Sequence, residues 1–148
     1  LIFKWPGRIR PNSSCDVPVI SDDLLPTIVD MAGEGAQLPD DIDGISLLPI
    51  LKEQSSELSR DQICWYYPHY SPQAQMPGYA ILKVDFKWIE HYDPPKVELF
   101  NLKKDISESE NLAEEMPEKV MDLKISFKYW LKQMNPVMHT ENPEYKSE

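Results

Sequence analysis

His69 is the side chain with the widest chemical reach in this sequence. It stands in the run Trp65-Tyr66-Tyr67-Pro68-His69-Tyr70. An imidazole among phenols, where a strand gives way to a loop, can donate hydrogen bonds to a polar or anionic ligand. The same residues also fit a histidine at the margin of a sheet, bonded to backbone among packing aromatics. The other two histidines offer less. His91 falls in a strand and His139 in the C-terminal tail, and no pair has the helical spacing of metal ligands. The stretch Asp40-Asp41-Ile42-Asp43-Gly44 begins as a calcium loop does, but no glutamate follows at the required offset. It reads as a turn with solvated acids. Lys83 and Lys87 alternate with apolar residues, which places both on one solvated strand face.

The sequence holds no self-contained active site. A phosphate-cradling Gly-Lys loop, G-x-G-x-x-G, G-x-S-x-G and H-E-x-x-H are all absent. Cys15 and Cys64 stand far apart, with no C-x-x-C, which speaks against zinc. They read as buried free thiols ahead of a disulfide or a reactive thiol. Asn12-Ser13-Ser14 fits a glycosylation sequon, which matters only in a eukaryotic secretory protein.

Positioning any of these groups requires a fold, and 148 residues suit one ordinary domain, or a small domain with a piece of another. An apolar fraction of 41% is enough for a core. The net charge of −10 and pI of about 4.7 leave no basic face for nucleic acid. No apolar run approaches the roughly 18 residues that suggest a membrane-spanning helix. The opening Leu-Ile-Phe-Lys-Trp shows neither a signal peptide nor an initiator Met, and reads as the middle of a strand in a fragment.

The region 61–102 organises the rest. Apolar runs at Ile63–Tyr67, Ala80–Val84, Phe86–Tyr92 and Val97–Leu102 are rich in β-branched and aromatic residues, with Pro, Gly and Asp between them. They predict antiparallel strands joined by turns. Both faces of the last strand carry apolar groups, so one packs on a helix and the other meets a neighbouring domain. The helix is predicted from residue 118 to 134. Pro117 sits at its first position, and Val120, Leu123, Phe127, Trp130, Leu131 and Met134 form its stripe.

Upstream, Asp22 or Asp23 caps a helix whose apolar face is Leu25, Ile28, Val29 and Ala32 and which Gly33 or Gly35 ends. A short apolar turn or helix follows at Leu47–Leu51. The charged, Ser-rich segment 52–60 is the best boundary. Asp105 is a cap candidate for a single helical turn, and residues 137–148 read as a polar tail.

The order of these pieces resembles the C-terminal part of the formylglycine-dependent (type I) sulfatases. Trp5-Pro6-Gly7-Arg8-Ile9 is similar to the W-P-G-x-I turn of that family. Asp23-Leu24-Leu25-Pro26-Thr27, running on to Ala32-Gly33, resembles D-L-x-P-T-x-x-D-x-A-G. Asp43-Gly44-Ile45-Ser46-Leu47-Leu48-Pro49-Ile50-Leu51 resembles D-G-x-S-L-x-P-x-L. Trp65–Tyr70 resembles W-x-Y-P-H-Y, Lys87-Trp88-Ile89 and Glu98–Leu102 its K-L-I and E-L-Y-N-L strands, and Asp105–Leu112 its D-x-x-E-x-x-N-L.

The resemblance implies an α/β fold with an α+β C-terminal part. A small four-stranded antiparallel sheet packs on the long C-terminal helix. The last strand and helices of an alkaline-phosphatase-like α/β domain precede it. Residues 1–55 would end the large catalytic domain, 60–135 form the small C-terminal subdomain, and 136–148 an extended tail. The implied reaction is hydrolysis of a sulfate ester on a glycan or an aryl group. A formylglycine and a bound calcium ion serve the full-length enzyme.

Neither Cys15 nor Cys64 sits in the C/S-x-P-x-R motif that yields formylglycine. The chain alone is therefore expected to carry no catalytic residue, metal or cofactor, and to hydrolyse nothing. Its expected share is substrate selection, with His69, Tyr67 and Tyr70 facing the substrate beside the loop 71–79. No nucleic-acid or membrane partner is expected. Apolar surface along residues 1–55 would favour a homo-oligomer of the fragment. Export to the periplasm, the exterior or the lysosome is implied by the resemblance only. A related phosphatase or phosphoglycerol transferase, and a non-catalytic binding module, are the competing readings.

Overall fold

The computed structural model describes residues 1–33, 37–70, 76–138, 140 and 144. The chain divides into two compact units, Leu1–Arg60 and Asp61–Glu148.

The first unit is assembled around a buried carboxylate. A single 3-10 turn, Ser21–Asp23, leads into α1 (Leu24–Ala32), and α2 (Leu48–Leu51) follows after a loop. Pro26 lies in the first turn of α1, where a missing N–H costs little. Gly33 ends the helix at φ 88°, a conformation that glycine adopts without a Cβ penalty.

Asp23 is fully buried. Its carboxylate accepts the Ile20 N–H at 2.9 Å and the Ile45 N–H at 3.0 Å. Arg60 Nη1 and Nη2 donate to its two oxygens, each at 2.8 Å. One turn on, Thr27 Oγ1 donates to the Asp23 carbonyl at 2.6 Å and accepts the Leu47 N–H at 2.8 Å. Gly44 completes the join. A Cβ there would stand 2.0 Å from the Asp22 carbonyl oxygen, so only glycine permits the approach.

This network turns α1 about its axis. Asp23, Pro26 and Thr27 are the buried positions, whereas Leu25 and Ile28 are 52% and 59% exposed. The apolar face predicted for α1 therefore exists but is not the face that packs within this unit. Residues Leu1–Lys4 do not form the expected strand, because the strands described all lie between Gln62 and Asn101 and none pairs with them.

The second unit is a four-stranded antiparallel sheet, β1 (Gln62–Tyr67), β2 (Gly78–Lys83), β3 (Phe86–Tyr92) and β4 (Pro95–Asn101), in sequence order. The helix α3 (Pro117–Met134) packs on it. The register aligns Cys64, Ile81, Trp88 and Leu99 in one row. Ile81, Trp88 and Leu99 from that row join Leu123 and Phe127 of α3 as the buried core. The Trp88 and Phe127 rings meet edge to face at 5.8 Å between centroids. Each such side chain is worth about 1.5–3 kcal/mol of apolar burial. Asn135 closes α3 in the left-handed region at φ 44°. Met134, predicted in the core stripe, is 46% exposed in the last turn.

Two lysines depart from expectation. Lys83 pairs with Phe86 across the two-residue turn Val84–Asp85, so Lys87 falls on the opposite face of the sheet. Lys83 Nζ donates to Ser126 Oγ of α3 at 3.1 Å, and Lys87 Nζ meets Glu108 Oε1 at 2.7 Å. Neither is a bare solvating charge.

Residues 105–108 form no helical turn. The Asp105 carboxylate instead accepts the N–H groups of Ser109 and Glu110 and the Ser109 hydroxyl. Asn111 then holds β4: its Oδ1 accepts the N–H groups of Leu99 and Ala113, and its Nδ2 donates to the Val97 carbonyl.

Candidate functional site

The strand β1 carries the candidate residues to the end of the sheet. It stops at Tyr67 because Pro68 cannot donate to a ladder. His69 follows in an exposed bend, and Tyr70 is 63% exposed. The end of β3 fastens this segment. Tyr92 Oη donates to the Tyr67 carbonyl at 3.2 Å, and Tyr70 Oη donates to Asp93 Oδ2. Tyr67, His69 and Tyr70 thus share one bend, tied to the β3–β4 turn. Of the loop predicted beside them, residues 71–75 lie outside the described residues; Pro77 and Gly78 are buried.

The register adds residues that the sequence did not mark. Tyr67, Gly78, His91 and Lys96 form one row on the face opposite α3, and Trp65, Ala80, Ile89 and Glu98 form the next. His91 Nε2 lies 3.4 Å from Glu98 Oε2, and Lys96 Nζ lies 2.7 Å from Glu98 Oε1. His91 Nδ1 is buried without a hydrogen-bond partner. A periodicity argument places His91 in a strand, but only the pairing shows it level with Tyr67.

The phenols here are donors rather than nucleophiles. Burial pushes Tyr92 up to about 12, reinforced by Tyr66, Tyr79 and Tyr70. Burial also raises Tyr79, with Glu90 adding to the effect. Both keep their protons throughout the neutral range.

Neither cysteine is paired in a disulfide. Cys15 is exposed, not buried as expected, because its loop lies on the surface of the first unit. Burial against the core pushes the Cys64 thiol up to about 12, outweighing Gln62 and Lys83, so almost no thiolate forms. Among the described residues no three His, Cys, Asp or Glu side chains come together as a metal site requires. Among the described residues the carboxylates do not gather as a calcium ion requires, and neither cysteine stands in the sequence motif that yields formylglycine. Among the described residues no helix is long and apolar enough to cross a membrane.

A family model described as N-sulphoglucosamine sulphohydrolase, C-terminal, matches residues 1–135. The chain belongs to this sulfatase family. A sulfatase of Formosa agariphila is 33% identical over 135 residues, covering 83% of this chain and 24% of the relative. An N-acetylglucosamine-6-O-sulfatase of Bacteroides thetaiotaomicron is 31% identical over 116 residues, with 76% and 20% covered. A solved structure of a protein in complex with its substrate D-glucosamine-2-N,6-O-disulfate superposes with a TM-score of 0.62 at 28% identity, covering 76% of this chain and 24% of that one. The chain therefore spans about a fifth to a quarter of the length of these sulfatase relatives. The D-L-x-P-T and D-G-x-S-L segments that resemble the family supply Asp23, Pro26, Thr27, Gly44 and Leu47, the buried positions of the first unit's framework. The aromatic segment Trp65–Tyr70 lies at the end of the second unit's sheet.

Proposed function

We propose that this chain works as the C-terminal part of a longer sulfatase that hydrolyses sulfate esters on carbohydrates. The family match across residues 1–135, confined to about a quarter of each relative, is the observation that carries this reading. The substrate class is supported by the relatives, which are named for N-acetylglucosamine and seen with a glucosamine disulfate. In this reading calcium and formylglycine supply charge stabilisation and the nucleophile from outside these 148 residues. The chain contributes substrate recognition through the exposed bend. His69 donates to the sulfated sugar, and Tyr67 and Tyr70 flank it.

Sulfate release from D-glucosamine-2-N,6-O-disulfate and from an aryl sulfate tests the reading. The purified 148 residues release none, and the longer protein that contains them does. Turnover by the isolated chain would overturn the division of labour, and an inactive longer protein would remove the sulfatase assignment. In the active longer protein, His69→Ala raises KM or lowers kcat for the sugar substrate. Unchanged kinetics would make His69 a structural residue.

A further inference from the structure

We infer that Tyr92 and Asp93, at the end of β3, are positioning residues for His69. The inference rests on the reading above, in which His69 meets the sugar, and it names the groups that set where the imidazole stands.

His69 is exposed. Packing does not locate such a side chain, so its place is set by the backbone on either side. Both sides are held from the end of β3. Two residues before His69, the Tyr67 carbonyl accepts a hydrogen bond from Tyr92 Oη at 3.2 Å. One residue after it, Tyr70 Oη donates to Asp93 Oδ2. Between the two ties, Pro68 fixes its own φ and keeps Tyr67 extended. His69 therefore stands in a short segment fastened at both ends. Tyr92 also reaches the far side of the loop, since its N–H donates to the Pro77 carbonyl at 3.3 Å. One residue thus touches the chain where it leaves β1 and again just before it enters β2.

The clamp is rooted in the core. The Tyr92 ring lies 5.7 Å from that of Tyr79, and the Tyr79 ring lies 5.0 Å from that of Phe127 on α3, centroid to centroid. A Cβ at Gly78 would stand 2.6 Å from the Glu90 carbonyl oxygen, so β2 and β3 lie close together just before Tyr92. Burial keeps the Tyr92 phenol protonated, and its hydroxyl remains a donor at neutral pH. A misplacement of about 1 Å in a reacting geometry can cost about a hundredfold in rate. Two surface hydrogen bonds therefore matter to a side chain that packing does not hold.

Two measurements test this. In the ¹⁵N-labelled 148-residue chain, the His69 amide is expected near the rigid order parameter of about 0.85. Tyr92→Phe keeps the ring on Tyr79 and removes only the hydroxyl; it lowers the His69 value, and so does Asp93→Ala. The Trp88 amide is unmoved in both. In the longer protein, each variant lowers kcat/KM for D-glucosamine-2-N,6-O-disulfate about three- to tenfold, the span of one net hydrogen bond. The loss falls on whichever of KM and kcat His69→Ala moves. In a His69→Ala background the same variants change kcat/KM by less than about twofold. Asp93→Asn keeps an acceptor for Tyr70 and retains most of the activity. Asp93 is varied rather than Tyr70 because Tyr70 itself flanks the sugar. An unchanged His69 order parameter in both variants would overturn the clamp. So would losses that add in full to that of His69→Ala, which mark a general structural role. A lowered order parameter with neutral His69→Ala kinetics would keep the clamp and remove His69 from substrate binding. If the longer protein is inactive, the sulfatase reading falls and the order parameter alone decides the clamp.

Discussion

Arg60 holds Asp23 with both arms of its guanidinium, Nη1 on Oδ1 and Nη2 on Oδ2, each at 2.8 Å. The Asp23 side chain is fully buried and that of Arg60 is 14% exposed. Removing one member of such a pair leaves an uncompensated charge inside, at a cost of about 3–5 kcal/mol. Arg60→Met is therefore expected to lower the denaturation midpoint of the first unit far more than Arg10→Met, whose partner Glu53 is exposed. Urea titrations of both variants check this.

The same pair sets an acid limit. Burial alone would raise the Asp23 carboxyl, but Arg60 and the N–H groups of Ile20 and Ile45 outweigh it and hold it below the usual range. The unfolded chain then binds the proton more readily than the folded one, so stability rises with pH between the two values. The contribution of Asp23 is fully present above about pH 3.9, the ordinary aspartate value, and is lost as pH falls through the lower folded one. Midpoints measured from pH 6 down to pH 2.5 should fall more steeply in the parent chain than in Arg60→Met.

Gly44 is required by shape. The obstruction to a side chain is the Asp22 carbonyl at 2.0 Å, which is backbone and cannot rotate away. Gly44→Ala should cost at least the upper part of the 1–3 kcal/mol span, about 3 kcal/mol, typical of overpacking. Gly7→Ala meets no heavy atom within 4 Å, and its penalty is confined to its φ of 75°. Thermal melts of the two variants separate crowding from conformational strain.

The helix α3 offers a paired test of burial. Phe127→Ala removes a ring that touches Tyr79, Trp88 and Trp130, and should cost about 3–5 kcal/mol. Tyr129, two residues on, is 66% exposed. Its replacement by alanine should change stability by no more than about 0.5 kcal/mol. Chemical denaturation followed by Trp fluorescence distinguishes the two.

Asn111 makes three hydrogen bonds, two as acceptor and one as donor. At about 1 kcal/mol net each, Asn111→Ala should cost about 2–3 kcal/mol. Asn111→Asp keeps both acceptors but turns the donor into a carboxylate facing the Val97 carbonyl, so it should not restore parent stability. Amide hydrogen exchange at Leu99 reads the effect locally.

The strands and α3 were legible because their residues agree with their environment: aromatic and β-branched runs, Pro117 at the helix start, Asn135 at its end. The orientation of α1 was not. Its apolar residues Leu25 and Ile28 are the obvious inward face, and only the bonds of Asp23 and Thr27 to segments twenty or more residues away reverse it. The faces of Lys83 and Lys87 were misjudged for a related reason. Counting along the sequence cannot show that the chain doubles back within two residues at Val84–Asp85. Of the candidate site, the bend with Tyr67, His69 and Tyr70 was visible as a motif. That His91 stands level with Tyr67 was not, since pairing is not written in either strand alone.

The bonds of Asn111 also decide how this sheet can grow. The Leu99 N–H goes to Asn111, the Leu99 carbonyl accepts the Leu112 N–H at 2.8 Å, and the Val97 carbonyl accepts Asn111 Nδ2. These three outward backbone groups of β4 are thereby spent on the chain's own following segment, which leaves a foreign strand arriving there with an interrupted ladder. Assembly by strand addition, whether to a partner, to a second copy or into an aggregate, is thereby disfavoured at the β4 margin.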